Sequence, residues 1–195
     1  MKKAIREEYA DLGVDAFYKT HAHVYENPHF PYIKSLLEKN KDRIDYSSVL
    51  DFCAGGGEVT LILQGLGYEN SVGCDPFTHK LFEKNTRKKC WRFSFEDVVK
   101  RKLTAKYPPQ YNSEKKPFSS IICSFGMHLC PEKMLQPLVF QLFTLAETLV
   151  IITPHKRPVL EEIEGVQLVF DDFTLTERGK KVFLKSYEYQ QVFYF

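Results

Sequence analysis

At residues 49–58 the chain reads VLDFCAGGGE, an apolar run with one carboxylate, then three consecutive glycines and a second carboxylate. This pattern predicts a buried strand, a tight turn and a helix that begins near Glu58. Glycines in such a turn let a ligand approach the backbone, and the first amides of the helix point toward that ligand. The alternative is that the glycines serve only close packing of the helix on the strand.

Outward from this turn, strand and helix patterns alternate. The predicted strands are 47–53, 70–74, 90–95, 119–124 and 148–153, and the predicted helices are 32–39, 58–64, 78–88, 96–102 and 131–144. Residues 104–117 form a predicted surface loop, and 166–170 and 181–189 form a predicted antiparallel hairpin. The alternation predicts an α/β, Rossmann-like doubly wound sheet covered by helices on both faces. Ligands bind such sheets beyond the carboxyl ends of the strands, so the residues after each strand are the candidate site.

Carboxylates stand at the ends of the first two predicted strands. Asp51 would repel a pyrophosphate but would suit a ligand that carries an ammonium and a sulfonium, which favours S-adenosylmethionine over a dinucleotide. Asp75 follows 24 residues later, where a carboxylate can accept hydrogen bonds from both ribose hydroxyls. Pro76 and Phe77 then supply an apolar wall for adenine. The alternative role for Asp75 is to cap the helix that follows.

The third predicted strand is followed by Phe95 and Asp97. The carboxylate of Asp97 can accept a hydrogen bond from the adenine amino group while Phe95 packs on the ring. The alternative is an acidic start of a surface helix.

Together, residues 51–57, Asp75, Asp97 and residues 124–128 resemble the class I S-adenosylmethionine-dependent methyltransferases. The resemblance runs from about residue 47 to the C-terminus. It implies a seven-stranded sheet of order 3-2-1-4-5-7-6 with strand 7 antiparallel, and S-adenosyl-L-methionine as the cofactor. It also implies cofactor-binding roles for Asp51, Cys53, Gly55, Gly57, Asp75, Asp97 and Ser124.

One position departs from this family, because Cys53 replaces its usual first glycine. A small residue can take that position if its backbone dihedral angle is ordinary. If the angle is not ordinary, a non-catalytic member of the family becomes the alternative.

Candidate acceptor residues follow the fourth and fifth strands. His128 lies in Ser-Phe-Gly-Met-His, which is similar to a motif of small-molecule methyltransferases, and an imidazole there can orient the acceptor or remove its proton. His155 is a second candidate catalytic residue, and Lys156 and Arg157 can hold a carboxylate or phosphate of the substrate. The alternatives are a histidine that is hydrogen-bonded within the fold and a solvated run of charge.

Residues 1–40 are predicted to form an N-terminal helical lid segment, and residues 41–195 a methyltransferase domain that is one globular unit. Tyr25 and His29 of the lid are candidate substrate-binding residues. The histidines of this segment lack a nearby set of Asp, Glu or Cys ligands, so no metal site is predicted.

Composition limits the class of protein. The chain has 195 residues, 44% hydrophobic residues and a net charge of +2, which fits one soluble domain. No signal peptide or transmembrane run is recognised, so no membrane association is expected. Five cysteines without a CxxC pair indicate free thiols, which predicts a cytoplasmic protein with the nucleus as an alternative.

Three hypotheses on function remain open. The first is a methyltransferase that acts on an anionic small molecule. The second is an RNA methyltransferase, because basic residues cluster in 84–92, 100–102 and 115–116. The third is a catalytically inactive subunit that binds a protein partner through its aromatic C-terminal residues, 187–195.

Overall fold

The computed structural model describes residues 27–108, 115–154 and 157–190. Within them, seven strands form one sheet of order β3-β2-β1-β4-β5-β7-β6. The strands are β1 (Val49–Phe52), β2 (Ser71–Cys74), β3 (Cys90–Trp91), β4 (Phe118–Ser124), β5 (Ala146–Thr153), β6 (Val166–Leu175) and β7 (Lys181–Tyr189). The first five strands are parallel, and β7 pairs antiparallel with both β5 and β6. The predicted order and the antiparallel seventh strand are therefore confirmed.

Helices cover both faces of the sheet. They are α1 (Phe30–Lys39), α2 (Glu58–Gly65), α3 (His79–Thr86), α4 (Phe95–Val99) and α5 (Glu132–Phe143). Alternate strand residues point to opposite faces, so Leu50 and Phe52 join a core under α4 and α5, while Val49 joins a second core under α1 and α2. From β1 the chain adds β2 and β3 on one side, and it then returns to add β4 and β5 on the other side of β1. This switch point between β1 and β4 places a crevice at their carboxyl ends.

Two elements differ from the prediction. The strand β3 ends at Trp91, not near residue 95, because Ser94 begins α4. The Ser94 hydroxyl accepts a hydrogen bond from the Asp97 amide, and the Asp97 carboxylate accepts one from the Ser94 amide, which is a capping box. At the other edge, β6 continues to Leu175 after a register irregularity between Leu168 and Phe170.

The described end of the predicted lid belongs to the core. Pro31 stands in the first turn of α1, as its fixed φ favours. Ile33, Leu36 and Leu37 are fully buried and pack with α2 and the sheet. The helix α1 is therefore a layer of the fold, and the rest of the predicted lid, residues 1–26, lies outside the described residues.

Candidate functional site

A cavity of about 330 Å³ lies at the carboxyl ends of the central strands. Its wall comes from the segments that follow β1, β2, β3 and β4 and from the start of α5. The lining residues are Asn27, Phe52, Cys53, Gly55, Glu58, Cys74, Asp75, Pro76, Phe77, Phe93, Ser94, Phe95, Glu96, Ser124, Phe125, Gly126, Leu129, Pro131 and Met134. The predicted location of the site at the strand ends is thus where the structure has its cavity.

The glycine turn after β1 forms one side of this cavity. Gly55 lines it and has a φ of +54°, in the left-handed region that glycine adopts at little cost. Gly57 does not line it. A Cβ atom on Gly57 would lie 2.4 Å from Cγ2 of Thr86, so this glycine is needed for the close approach of α2 and α3. The two predicted roles of the glycines, ligand approach and helix packing, fall on different residues.

Cys53 has a φ of +58°, which is unusual for a residue with a side chain. The dihedral angle is therefore not the ordinary one on which the sequence argument for this position depended. The backbone follows the path that a glycine would take, and the side chain fits because Gly126 faces it. A Cβ atom on Gly126 would lie 2.3 Å from Cβ of Cys53.

The Cys53 thiol also contacts Cys123 of β4. A hydrogen bond between the two thiols, together with burial, raises the pKa of Cys53 well above its usual value. Cys53 is accordingly a protonated thiol in the cavity wall and a poor nucleophile.

Asp75 forms hydrogen bonds at the turn before α3 and also lines the cavity. Its Oδ1 accepts hydrogen bonds from the amides of Phe77 and Thr78, both at 2.8 Å, which stabilises the turn before α3. Its Oδ2 accepts one from the amide of Gly55 at 3.2 Å and keeps a free acceptor site. Because Asp75 also lines the cavity, this oxygen is available to a ligand hydroxyl.

Asp51 does not reach the cavity. It is fully buried, and its Oδ2 accepts hydrogen bonds from the amide and the hydroxyl of Thr60 in α2, at 3.1 and 2.9 Å. Burial raises the pKa of this carboxyl group well above its usual value. The side chain points beneath α2 because Asp51 shares a face of β1 with Val49.

Glu58, which the sequence analysis did not select, supplies a second carboxylate to the cavity wall, and Glu96 supplies a third. Oε2 of Glu58 accepts a hydrogen bond from the Gly56 amide at 3.1 Å. Burial raises the pKa of Glu58, and the nearby carboxylate of Asp75 raises it further. Glu58 is the first residue of α2, so its side chain projects over the glycine turn. The place of Glu58 directly after three glycines, at the end of the motif 49–58, was the sequence feature that could have identified it.

The residues that the sequence predicts to contact adenine differ in their position relative to the cavity. Pro76, Phe77 and Phe95 line the cavity, together with Phe93, which was not predicted. Asp97 does not line it, because its carboxylate bonds to Ser94 and forms an ion pair with Lys102 at 2.6 Å. These two partners lower the pKa of Asp97 to about 2. Asp97 therefore has the structural role of an acidic helix start, and Ser94 occupies the cavity wall instead.

The acceptor side contains Ser124 and Phe125, directly after β4. The ring of His29 stacks on Phe125 with centroids 4.4 Å apart, and the amide of His29 donates to Oδ1 of the cavity-lining Asn27. Nδ1 of His29 is buried and has no hydrogen-bond partner within the described residues. Burial lowers the pKa of His29, so its imidazole is neutral near pH 7.

Of the other predicted acceptor residues, His128 and Arg157 do not line the cavity, and three lie outside the described residues. His128 is exposed on a 3₁₀ turn (Met127–Leu129), and its predicted role beside the acceptor stays a prediction. The turn directs Met127 into the core and His128 outward. Arg157 is exposed and does not line the cavity either. Tyr25, His155 and Lys156 lie outside the described residues.

Neither a metal-binding cluster nor a membrane-spanning helix occurs within residues 27–108, 115–154 and 157–190. No group of three or more His, Cys, Asp or Glu side chains there is arranged to hold a metal ion. No helix in the same ranges has the length and apolar character needed to cross a membrane.

Comparison with known proteins gives a sequence relative and a set of structural neighbours. No protein-family model matches the chain. An uncharacterised protein of Schizosaccharomyces pombe is 26% identical in an alignment of 197 positions, and this alignment covers 81% of this chain and 77% of the yeast protein.

Solved structures match over nearly the whole chain at low sequence identity. A SAM-dependent methyltransferase from Anabaena variabilis superposes with a TM-score of 0.65 at 10% identity and covers 97% of this chain and 96% of its own. Magnesium protoporphyrin IX methyltransferase from Synechocystis, with bound SAM, gives 0.58 at 12% identity and covers 94% and 95%. An N-methyltransferase from Bradyrhizobium japonicum, in complex with S-adenosyl-L-homocysteine, gives 0.58 at 10% identity and covers 95% and 98%. This chain therefore has the fold of the class I S-adenosylmethionine-dependent methyltransferases.

Proposed function

We propose that this protein is an S-adenosylmethionine-dependent methyltransferase. The observation that carries the proposal is an aromatic cavity at the strand ends whose wall contains three carboxylates, those of Glu58, Asp75 and Glu96, of which Glu96 is ion-paired with Lys100. S-adenosylmethionine combines a flat base, a ribose diol and a cationic sulfonium with an ammonium group. Aromatic rings and carboxylates in one cavity complement those features. The neighbours from Synechocystis and Bradyrhizobium bind the same molecule or its demethylated product at the same fold.

Different residues of this chain would contact different parts of the ligand. Phe77, Phe93 and Phe95 enclose the adenine, and Oδ2 of Asp75 accepts from a ribose hydroxyl. The carboxylate of Glu58 balances the positive charge of the methionine part, which in turn favours the ionised form of this side chain.

The bound cofactor supplies a methyl group on a sulfonium, which is activated for direct displacement. The protein then has to align the acceptor and exclude water. The apolar side chains of Phe125, Leu129 and Met134 would exclude water from the part of the cavity that receives the acceptor. The ring of His29 stacks on Phe125 and would hold that part of the wall in place, while no imidazole of the described residues lines the cavity.

Calorimetric binding of S-adenosylhomocysteine tests the cofactor assignment. The variant Asp75→Asn keeps an oxygen for the amides of Phe77 and Thr78 but cannot accept from ribose with its amide nitrogen. We expect affinity to fall about 10- to 100-fold, the loss of one hydrogen bond to a charged group. The matched control Asp42→Asn, on the exposed surface, should bind normally. Equal affinity of Asp75→Asn and the unaltered protein would contradict the assignment.

For the acceptor, we propose a small molecule that carries a carboxylate or phosphate. The support is the basic sequence at residues 155–157, which follows the last parallel strand. Transfer of a tritiated methyl group to a panel of anionic molecules and their uncharged analogues tests it. Methylation of the anionic members alone is expected, with a loss in Arg157→Gln, whereas equal methylation of the uncharged analogues would refute the proposal.

A further inference from the structure

The positive charge of this protein is concentrated in one part of the chain. Residues 80–106 contain ten Lys or Arg and three Asp or Glu, a net charge of +7 in a chain whose total is +2. The rest of the chain therefore carries a net charge of −5. All of residues 80–106 belong to β3, which is an edge strand, and to the segments around it. We call this surface the basic edge.

Most cations of the basic edge have no carboxylate partner among the residues that the structure describes. Three form ion pairs, which are Lys88 with Glu69, Lys100 with Glu96 and Lys102 with Asp97. The remaining seven are exposed and form no ion pair with any described residue: Lys80, Lys84, Arg87, Lys89, Arg92, Arg101 and Lys106. A set of unpaired like charges that repel one another destabilises the fold, so its presence calls for an anionic partner.

These cations lie on both sides of β3. Lys80 and Lys84 are one helical turn apart on α3, and Arg87 ends that helix. Burial and the positive charge of Arg92 lower the pKa of His79, which places Arg92 beside the start of α3. On the other side, toward α4, Lys89 and Lys106 flank the ring of Trp91, with Nζ atoms 3.6 and 5.4 Å from its centre.

An aromatic row connects the basic edge to the cavity. Trp91 is partly exposed and stacks on Phe93 with ring centroids 6.0 Å apart, and Phe93 lines the cavity. Nε1 of Trp91 donates to the Tyr107 hydroxyl at 2.8 Å, which fixes the orientation of the indole. A polymer held at this edge would lie beside the mouth of the candidate active site.

Protection of the sheet edge does not explain this charge. Lysine on an edge strand prevents pairing with another chain, but β3 has only two residues and both Lys89 and Arg92 flank it. The other five unpaired cations lie on helices and turns, where no strand pairing has to be prevented.

We propose that the basic edge binds a single-stranded nucleic acid. Phosphates would contact the unpaired cations, and a base would take the place of Lys89 on Trp91, since base–aromatic stacking is stronger than the contact of an exposed lysine with a ring. The partly exposed ring favours a single strand over a duplex, in which the bases stack on one another. The binding surface lies outside the cofactor cavity, so the inference goes beyond the proposed function and does not depend on the identity of the methyl acceptor.

The experiment uses the full chain and unlabelled oligonucleotides of about 20 nucleotides, longer than the site of a typical single domain. RNA and DNA single strands and an RNA duplex of the same length are compared. Trp91 is the one tryptophan in the chain, so its fluorescence reports on the basic edge directly. We expect quenching by single strands, with log affinity falling against log salt at about −0.7 for each phosphate neutralised.

Two triple variants separate this site from general charge. Lys89→Gln, Arg92→Gln and Lys106→Gln together should weaken binding at least about tenfold and reduce the salt slope by about 2. The control variant Lys41→Gln, Arg178→Gln and Lys180→Gln removes the same charge from exposed positions outside the basic edge and should bind as the unaltered protein does. Binding of the control is followed by Trp91 in the same way.

Several results would overturn the proposal. They are no binding of single strands, equal weakening by both triple variants, or equal affinity for the duplex. Calorimetry with S-adenosylhomocysteine is run on the same samples, so a failure of the cofactor assignment is seen separately. Thermal melting of each variant shows that it is folded before binding is compared.

Discussion

Cys53 and Gly126 depend on each other. Cys53 takes a left-handed backbone conformation that costs a residue with a side chain about 1–2 kcal/mol. Its Cβ and thiol occupy the space where Gly126 would carry a side chain. Cys53 thus stands where the backbone conformation favours a glycine, and the space for its side chain exists because residue 126, which faces it, is a glycine.

This dependence predicts a strong coupling between two substitutions. Gly126→Ala should lower the free energy of unfolding by about 1–3 kcal/mol, since its methyl group would overlap Cys53. In a Cys53→Gly background the same change should cost at least about 1 kcal/mol less. Urea unfolding of the four proteins measures the coupling. Additive losses would show that the two side chains do not compete for the space.

The buried carboxyl of Asp51 gives a prediction on pH. Its pKa is raised by burial, so the folded state holds the proton more tightly than the unfolded state. Its contribution to stability is present below the ordinary pKa near 3.8 and is lost as pH rises through the folded value. Asp51→Asn removes this loss. The stability of the variant relative to the unaltered protein should increase by about 1.4 kcal/mol per pH unit within that window.

Thermal unfolding at a series of pH values above 3.8 checks this prediction. Asp42→Asn is the matched control, because that side chain is exposed. A constant difference between Asp51→Asn and the unaltered protein at all pH values would contradict the raised pKa.

At the residue scale the sequence predicted which turns form the cavity but not which side chain faces it. Asp51 and Glu58 both belong to the quoted motif, and only Glu58 lines the cavity. The difference arises from direction, since Asp51 alternates with core residues of β1 whereas Glu58 begins a helix. His128, predicted as a catalytic residue, lies on a 3₁₀ turn where the adjacent Met127 enters the core and His128 is exposed.

At the scale of elements, the capping box of α4 is the feature that most changed the site. Ser94 and Asp97 satisfy amides at the start of a helix of only five residues. The Asp97 carboxylate, predicted from the sequence to bind adenine, accepts a hydrogen bond from the backbone amide of Ser94, and Phe95 lies in the cavity wall.

The capping role predicts the result of removing Asp97. Asp97→Ala should lower the free energy of unfolding by about 1 kcal/mol, the usual effect of a lost cap, and leave the affinity for S-adenosylhomocysteine unchanged. Because the pKa of Asp97 is lowered, its stabilising effect in the unaltered protein should disappear as pH falls from 3.8 toward about 2. Chemical unfolding and calorimetry test the two parts. A marked loss of cofactor affinity in a folded variant would instead support a contact with adenine.

Most elements were predictable because their patterns were unambiguous. The buried apolar runs of β4 and β5 and the prolines before α1 and α5 have one simple interpretation each. The end of β3 was not predictable from hydrophobicity, since Phe93 and Phe95 continue an apolar pattern through the helix start. There the cap at Ser94 determines the structure.

The molecule has different surface properties at the two edges of its sheet, β3 and β6. The cavity lies at the carboxyl ends of the parallel strands, and the basic edge adjoins it on the side of β3. The strand order was predictable only through the family resemblance, because periodicity gives the elements and not their order. The sequence shows that positive charge is concentrated in residues 80–106. The structure adds that these residues form one surface, because it places α3, β3 and α4 around one edge of the sheet.

The opposite edge of the sheet has the reverse character and sets the colloidal behaviour of the protein. The strand β6 runs for ten residues, and Val169 and Leu175, each about half exposed, lie on it. Within the described residues no strand covers its outer side, so crowded molecules would adhere through β6 and repel through β3. Val169→Lys should reduce the association seen by light scattering as concentration rises, whereas Ser35→Lys, which adds the same charge to an exposed helix position, should not. Equal scattering by both variants would show that the molecules do not associate through β6.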